Sequence, residues 1–149
     1  MSSFNAMAAR RRRARHFGLQ ALYQWSIAKA DLASIEEQFR VDNDFSHTDT
    51  EYFQDLLKGV TRDVETLEAV FAPIIDRALD ELDAVERNLL RMGTFELRDR
   101  VDIPYKVVIN EAVSLAKKFG ATESYRFING VLDKVSQDLR SIERSEKFK

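Results

Sequence analysis

The chain has 149 residues, enough for one domain with a sizeable apolar core, and its formal net charge at pH 7 is −2. It contains no cysteine and two histidines, so disulfides and thiolate metal sites are excluded, and we expect no metal or cofactor. Every apolar run is short and interrupted by charge, which argues against a membrane span or a signal peptide and favours a cytoplasmic protein.

Positive charge is concentrated near the amino terminus. Residues 1–30 carry six Lys or Arg and no Asp or Glu, whereas residues 31–149 carry 17 Lys or Arg against 25 Asp or Glu. Because a basic cluster gains affinity for a polyanion by releasing condensed counterions, this asymmetry favours a nucleic-acid ligand. An organellar transit peptide is also Arg-rich and acid-poor, but an apolar stripe that includes Phe17 and Trp25 indicates a helix packed on a core.

The spacing of apolar residues predicts an all-α chain of about seven helices. The first helix is expected over about residues 8–30, with the arginines in its first half. A second, short helix begins near Asp31 or Ser34, and Ser34 with Glu37 has the spacing of a capping box. A polar loop over residues 42–47 follows.

A third helix is expected from Thr48 to near Pro73, because proline lacks the amide donor that continues a helix. A short helix carrying Ile74, Ile75 and Leu79 should come next.

The carboxyl-terminal half shows three further helices. Asp83 and Glu86 have capping-box spacing, and Pro104 suits the first turn of the next helix. Gly120 is expected to end that helix in a left-handed conformation, and Thr122 to cap the last helix. The charged tail beyond about Ile142 should fray.

Tyr23 faces away from the apolar stripe of its own helix. By the 3.6-residue period it lies about 180° from that stripe, on the side that also carries Arg12, His16 and Leu19. Two interpretations stay open for Tyr23. It packs under a neighbouring loop, or it belongs to a surface that binds a partner.

Phe127 lies on the flank of the last helix, in a region that also contains Arg126, Gly130 and Lys134. An aromatic ring beside cations can stack on an unpaired base while the cations contact phosphate, although packing on the preceding helix would also account for it. Gly130 inside a helix costs about 1 kcal/mol against Ala, so close approach of another backbone or a ligand is expected there.

The sequence contains none of the common catalytic motifs. It has no glycine-rich phosphate loop, no nucleophile elbow and no HExxH pair. Together with the charge asymmetry, this pattern favours a binding protein over an enzyme.

Five colinear blocks give the chain a specific family resemblance. It resembles the NusB family of bacterial transcription antitermination factors over nearly its whole length. The blocks are RRRAR with LQALYQW (residues 11–25), YFQDLLKGV (52–60), ELDAVERNLLR (81–91), VDIPYKVVINEAVSLAKKFG (101–120) and SYRFINGVLDK (124–134).

The resemblance implies an all-α fold of two small packed helical bundles within one RNA-binding domain, at about residues 8–79 and 80–142. It also implies binding of boxA, a single-stranded element of ribosomal RNA operon transcripts, as a heterodimer with the ribosomal small-subunit protein NusE. Through this heterodimer the protein would join RNA polymerase and other Nus factors in the antitermination complex.

Site residues follow from the resemblance motif by motif. Ser124 and Phe127 would complete the RNA-binding surface, and Tyr23 and Glu86 would contact NusE. The arginines implied as phosphate contacts are Arg11, Arg12, Arg13 and Arg15.

Two alternative functions remain at this point. One is a homodimer that hides the arginine run at its own interface, in a structural or storage role. The other is a targeting module related to the helical domains fused to RNA cytosine methyltransferases.

Overall fold

The computed structural model describes residues 3–146, and its regular structure in that range is helical. The predicted all-α fold is therefore confirmed. The elements are α1 (Ser3–Ala28), α2 (Leu32–Asp42), α3 (Thr50–Arg62), α4 (Val64–Phe71), a 3-10 turn (Leu79–Glu81), α5 (Ala84–Asp99), α6 (Tyr105–Phe119), α7 (Ser124–Leu139) and α8 (Ser141–Glu146).

The first compact unit ends at Arg62 and is built from α1, α2 and α3. Its core contains a run of aromatic rings contributed by α1, the α2–α3 loop and α3. The rings of Phe17 and Phe45 stack at 4.8 Å between centroids, and Phe45 meets Phe53 edge-on at 5.1 Å. Such contacts stabilise a small core beyond the burial of apolar area alone.

The second unit begins at Asp63 and is organised around α5, on which α4, α6 and α7 pack. Residues 88–97 of α5 are all buried. Gly93 permits the close approach of α7, because a Cβ atom at this position would lie 2.7 Å from Leu132 Cδ1. A side chain larger than hydrogen would therefore require the Leu132 side chain to move.

The compact units divide after Arg62, whereas the resemblance implied a first bundle over about residues 8–79. Helix α4 belongs to the second unit because its Glu68 is bound by two arginines of α5. Arg87 Nε donates to the Glu68 carboxylate at 2.6 Å, and Arg91 Nε donates to it at 2.9 Å.

Helix starts agree with the sequence at α5 and differ at α2 and α3. The predicted capping box at α5 is present, with the Glu86 amide donating to Asp83 Oδ1 at 2.8 Å. Helix α2 is instead capped by Asp31, which accepts from the Ser34 amide, so the box predicted at Ser34 is wrong. Helix α3 starts at Thr50, two residues later than expected.

The region between α3 and α5 is less helical than the sequence indicated. The expected third helix is interrupted at Asp63, which has φ −113° and ψ 26°. The short helix expected around Ile74 and Ile75 is wrong, since those residues lie in turns that precede the 3-10 turn.

The α6–α7 connection also differs from the prediction. Gly120 is extended, with φ −88° and ψ 171°, and the left-handed residue is Glu123, with φ 76°. Helix α7 begins one residue later, at Ser124, so Thr122 is not its cap. Beyond Ile142, α8 continues to Glu146 where a frayed tail was expected. The rest of that tail lies outside the described residues.

Candidate nucleic-acid interface

The arginines of α1 fall into an exposed group and a buried group. Arg12 and Arg13 are exposed, and Arg11 is partly covered. Arg15 is only 4% exposed. The buried guanidinium of Arg15 cannot meet a phosphate in solution without rearrangement, so the run offers less surface charge than its sequence indicates.

The ring of Tyr52, which is buried in the first turn of α3, packs against both Arg11 and Arg15. The guanidinium carbon of Arg11 lies 5.2 Å from the centroid of the Tyr52 ring, and that of Arg15 lies 5.3 Å away. Arg11 Nε also lies 3.7 Å from Asp49 Oδ2. Cation–π contacts and the ion pair therefore fix Arg11 and Arg15 against α3.

Arg10 attaches the α2–α3 loop to α1. Its guanidinium donates to the backbone carbonyl oxygens of Ser46 (3.1 Å) and Thr48 (3.2 Å), and its own carbonyl accepts from the Asp49 amide (3.1 Å). From the sequence, Arg10 is only one of the clustered arginines, and its contacts with the α2–α3 loop are not predicted. No local signal distinguishes it, because its partners lie 36 and 38 residues away.

The side of α1 that carries Tyr23 is partly apolar and exposed. Tyr23 is 43% exposed and Ile27 is 56% exposed, which confirms that Tyr23 points away from the core of its unit. Leu19 was expected on the same exposed side but is 2% exposed. Helix α1 therefore buries a wider face than the apolar stripe that the sequence predicted.

In the second unit, Phe127 is half-buried and an arginine lies over its ring. The guanidinium carbon of Arg77 is 4.2 Å from the ring centroid. Asp76 accepts a 2.9 Å hydrogen bond from Arg77 Nε, and this bond is the main cause that lowers the pKa of Asp76 and raises the pKa of Arg77. The sequence missed Arg77, since nothing near it in sequence indicates contact with α7.

Ser124 and Glu86 form one buried contact between the amino-terminal ends of α7 and α5. Ser124 is 5% exposed and Glu86 is 8% exposed. The Ser124 hydroxyl donates to Glu86 Oε2 at 3.0 Å, while Glu86 Oε1 accepts from the Asp83 amide at 3.4 Å. The structure thus pairs a residue expected at RNA with one expected at the protein partner.

Next to Ser124, the first turn of α7 carries the ring of Tyr125, and a lysine of α6 and an arginine of α7 lie over it. Lys117 Nζ lies 4.9 Å from the centroid of the Tyr125 ring, and the guanidinium carbon of Arg126 lies 5.5 Å from it. Arg126 also pairs with Glu123 and keeps a side chain that is 70% exposed. The surface therefore alternates cations with aromatic rings, as RNA-binding surfaces do.

Known proteins are similar to this chain in sequence and in fold. The profile of the NusB family matches residues 12–137. The chain belongs to the NusB family. The transcription antitermination protein NusB of Teredinibacter turnerae is 57% identical over 91% of this chain and 93% of its own length. That of Alcanivorax borkumensis is 53% identical over 92% and 91%, respectively.

Solved NusB structures agree with the fold. A crystal form of T. maritima NusB superposes with a TM-score of 0.74 at 30% identity, covering 85% of this chain and 90% of that one. A crystal structure of the antitermination factors NusB and NusE in complex with double-stranded RNA gives a TM-score of 0.74 at 25% identity, with 85% and 95% covered.

Two other classes of protein feature are absent from the described residues. No helix within residues 3–146 is long and apolar enough to cross a membrane. In the same part of the chain, no three His, Asp or Glu side chains are grouped so that they could hold a metal ion.

Proposed function

We propose that this NusB-family chain is a transcription antitermination factor that binds boxA RNA of ribosomal RNA operons as a heterodimer with NusE. The heterodimer then joins the antitermination complex on RNA polymerase together with other Nus factors. This is a binding function, and the protein acts without catalysis or a cofactor. Similarity to curated antitermination proteins over most of their length is the observation that carries the proposal.

The exposed cations support RNA binding and narrow the set of contact residues. Arg12 and Arg13 are exposed on α1 and are proposed to meet phosphates. Arg11 and Arg15 are proposed to support them by fixing this part of α1 on Tyr52.

The second unit supplies an aromatic contact. Phe127 is proposed to meet a base, because its ring is half-buried among cations. Ser124 is proposed to support the RNA-binding surface without contacting RNA, since its buried hydroxyl links α7 to the Glu86 carboxylate.

For NusE, Tyr23 is the proposed direct contact. Its ring is exposed on α1 beside exposed Ile27, and interfaces favour a tyrosine in such a setting. Glu86 is buried, so its proposed role is to hold the start of α7 in place for a bound partner.

A titration of fluorescently labelled single-stranded boxA RNA tests the proposal. The protein alone, NusE alone and their mixture are each added to boxA RNA and to an RNA of the same composition in scrambled order. We expect the mixture to bind boxA most tightly and to prefer it over the scrambled RNA. Equal binding of the two RNAs by the mixture would contradict the proposal.

Light scattering during size-exclusion chromatography tests the partner. The mixture should elute as a species with the mass of one chain plus one NusE. A homodimer that persists in excess NusE and boxA RNA would instead support a structural or storage role.

A further inference from the structure

The α2–α3 loop carries an acidic residue beside the arginine run of α1. Arg13 lies over the ring of Phe17, with its guanidinium carbon 5.6 Å from the ring centroid. The same ring stacks on Phe45 of the loop at 4.8 Å between centroids. Asp44 directly precedes Phe45 in the chain, so one pair of stacked rings brings Arg13 and Asp44 to the same part of the surface.

Two contacts fix the loop next to Asp44. Phe45 packs among the aromatic rings of the unit and also meets Phe53 edge-on at 5.1 Å. Ser46 is held by Arg10, whose guanidinium donates to the Ser46 carbonyl oxygen at 3.1 Å. The Ser46 amide in turn donates to Asp44 Oδ1 at 2.9 Å, which orients the carboxylate. The carboxylate therefore has a fixed position, although its side chain faces solvent.

The Asp44 carboxylate interacts with the charge of Arg13. Hydrogen bonds from the amide and the side chain of Ser46 are the main cause that lowers the pKa of Asp44. The charges of His47 and Arg13 lower this pKa further, whereas desolvation opposes them. Because the attraction between two charges is mutual, Asp44 also lowers the positive potential that Arg13 presents to solvent. A phosphate that approaches Arg13 therefore meets a fixed negative charge nearby.

The hydrogen bond between Asp44 and the Ser46 amide does not require a charge at this position. Asn and Asp form the same turn, because each accepts from the backbone amide two residues on through a side-chain oxygen. Asp49 at the end of the loop is different, since its carboxylate also pairs with Arg11 at 3.7 Å. The negative charge of Asp44 is therefore best explained by its effect on Arg13.

We propose that Asp44 limits the affinity of Arg13 for RNA phosphate and thereby keeps the phosphate contribution to binding small. Nonspecific complexes depend mainly on phosphate contacts, so this restraint keeps them weak. Stable binding then requires the additional base contacts that boxA offers. This inference rests on the proposed RNA-binding function and adds to it an acidic residue that sets the affinity of the arginine run.

Asp44→Asn removes the charge and keeps an acceptor for the Ser46 amide. In an RNA titration at low ionic strength with NusE present, it should strengthen binding about two- to five-fold, as expected for a pair of surface charges. The gain should be equal for boxA and the scrambled RNA, because the contact is with phosphate, and it should fade as salt screens the charges. Glu37→Gln removes the same charge from an exposed site of α2 and should leave the affinity unchanged.

An Arg13→Ala background identifies the cation through which Asp44 acts. In that background Asp44→Asn should no longer strengthen RNA binding, because the arginine that it restrains is absent. Arg12→Ala is the matched background, in which Asp44→Asn should strengthen binding as it does in the unsubstituted protein. A melting curve for each variant checks that the fold is retained.

Three results would overturn the inference alone. The first is unchanged RNA affinity of folded Asp44→Asn. The second is a gain that persists in the Arg13→Ala background. The third is an equal gain in Glu37→Gln, which would assign the effect to the net charge of the protein. Failure of the unsubstituted protein with NusE to bind boxA RNA would instead overturn the proposed function.

Discussion

Three arginines within residues 3–146 are almost fully buried, and each has a partner that accounts for its burial. Arg15 lies over the Tyr52 ring, Arg91 donates to Glu68, and Arg140 donates to backbone carbonyls. A buried guanidinium without such partners would cost several kcal/mol. The proposed RNA contacts are therefore the exposed arginines Arg12 and Arg13, whose charge still faces solvent.

Replacement of Phe127 tests base stacking. Phe127→Ala should weaken boxA binding by about 1–3 kcal/mol, the range measured for one aromatic–base stack. Phe127→Leu keeps most of the apolar packing but removes the flat ring, so it should restore stability without restoring affinity. The measurement is RNA titration with a melting curve for each variant. If folded Phe127→Ala binds boxA RNA with full affinity, the ring serves packing and does not stack on a base.

The Glu68 carboxylate predicts a pH dependence of stability. Burial would raise its pKa, but the hydrogen bonds and charges of Arg87 and Arg91 outweigh burial and lower the pKa below the ordinary value of 4.5. The ionised form is thus favoured in the folded state. Its contribution is complete above pH 4.5 and is lost as the pH falls through the lowered pKa.

Glu68→Gln should reduce the free energy of unfolding by about 3 kcal/mol at neutral pH, because two arginines lose their charged partner. Urea unfolding from neutral pH down to about pH 3 should show this difference narrowing as Glu68 becomes protonated. Glu65→Gln on the exposed face of α4 is the matched control. A difference that stays constant across this pH range would contradict the account.

Arg140 caps the carboxyl-terminal end of helix α5. Its guanidinium donates to the carbonyl oxygens of Leu97 (2.7 Å), Arg100 (2.9 Å) and Ile103 (2.9 Å). It also pairs with Glu143 at 2.6 Å. The Arg100 carbonyl also accepts from the Ile103 amide at 3.0 Å. The carbonyls at the end of a helix lack intrahelical partners, so the Arg140 side chain provides hydrogen bonds that burial makes necessary there.

Arg140→Lys should therefore lower the free energy of unfolding by about 2–4 kcal/mol, because an ammonium group cannot reach the same set of carbonyls. Arg100→Lys is the control, since Arg100 donates to Asp102 at an exposed site and its replacement should cost under about 1 kcal/mol. Urea unfolding measures both. Equal losses in the two variants would show that the carbonyl contacts of Arg140 contribute little.

Sequence periodicity predicted the helices well where the local pattern determines them. The capping box of α5 is an example, because both partners lie within four residues. The periodic pattern missed the break at Asp63, where a contact from a distant part of the chain is made. Its carboxylate accepts a 2.7 Å hydrogen bond from Arg98, which is 35 residues away. The left-handed residue of the α6–α7 turn is Glu123, whereas the sequence predicted a left-handed Gly120. No local rule predicts a left-handed conformation for a glutamate at this position.

In the candidate site too, the sequence predicted what depends on local helix geometry and missed what depends on distant contacts. The exposure of Tyr23 followed from helical geometry alone. The burial of Arg15 did not, because the ring that covers it belongs to α3. The contact of Arg77 with Phe127 joins residues 50 positions apart, and only the fold brings them together.

Charge is distributed unevenly along the chain. The chain has a net charge of −2, although residues 1–30 contain no acidic side chain. An acidic body limits nonspecific binding to polyanions, while a local basic cluster still attracts RNA. Binding should therefore depend on salt through a few cations and not through the net charge of the protein.

The salt dependence of boxA binding is the most direct test of this account. The logarithm of the association constant is measured against the logarithm of salt concentration, with NusE present. For the Arg12→Ala, Arg13→Ala double variant we expect weaker binding and a slope shallower by about 0.7 for each phosphate that is no longer neutralised. The double variant Lys58→Ala, Arg62→Ala removes the same charge from α3 and should keep the original slope. An unchanged slope and affinity in the Arg12, Arg13 variant would contradict the proposal that these two arginines neutralise RNA phosphates.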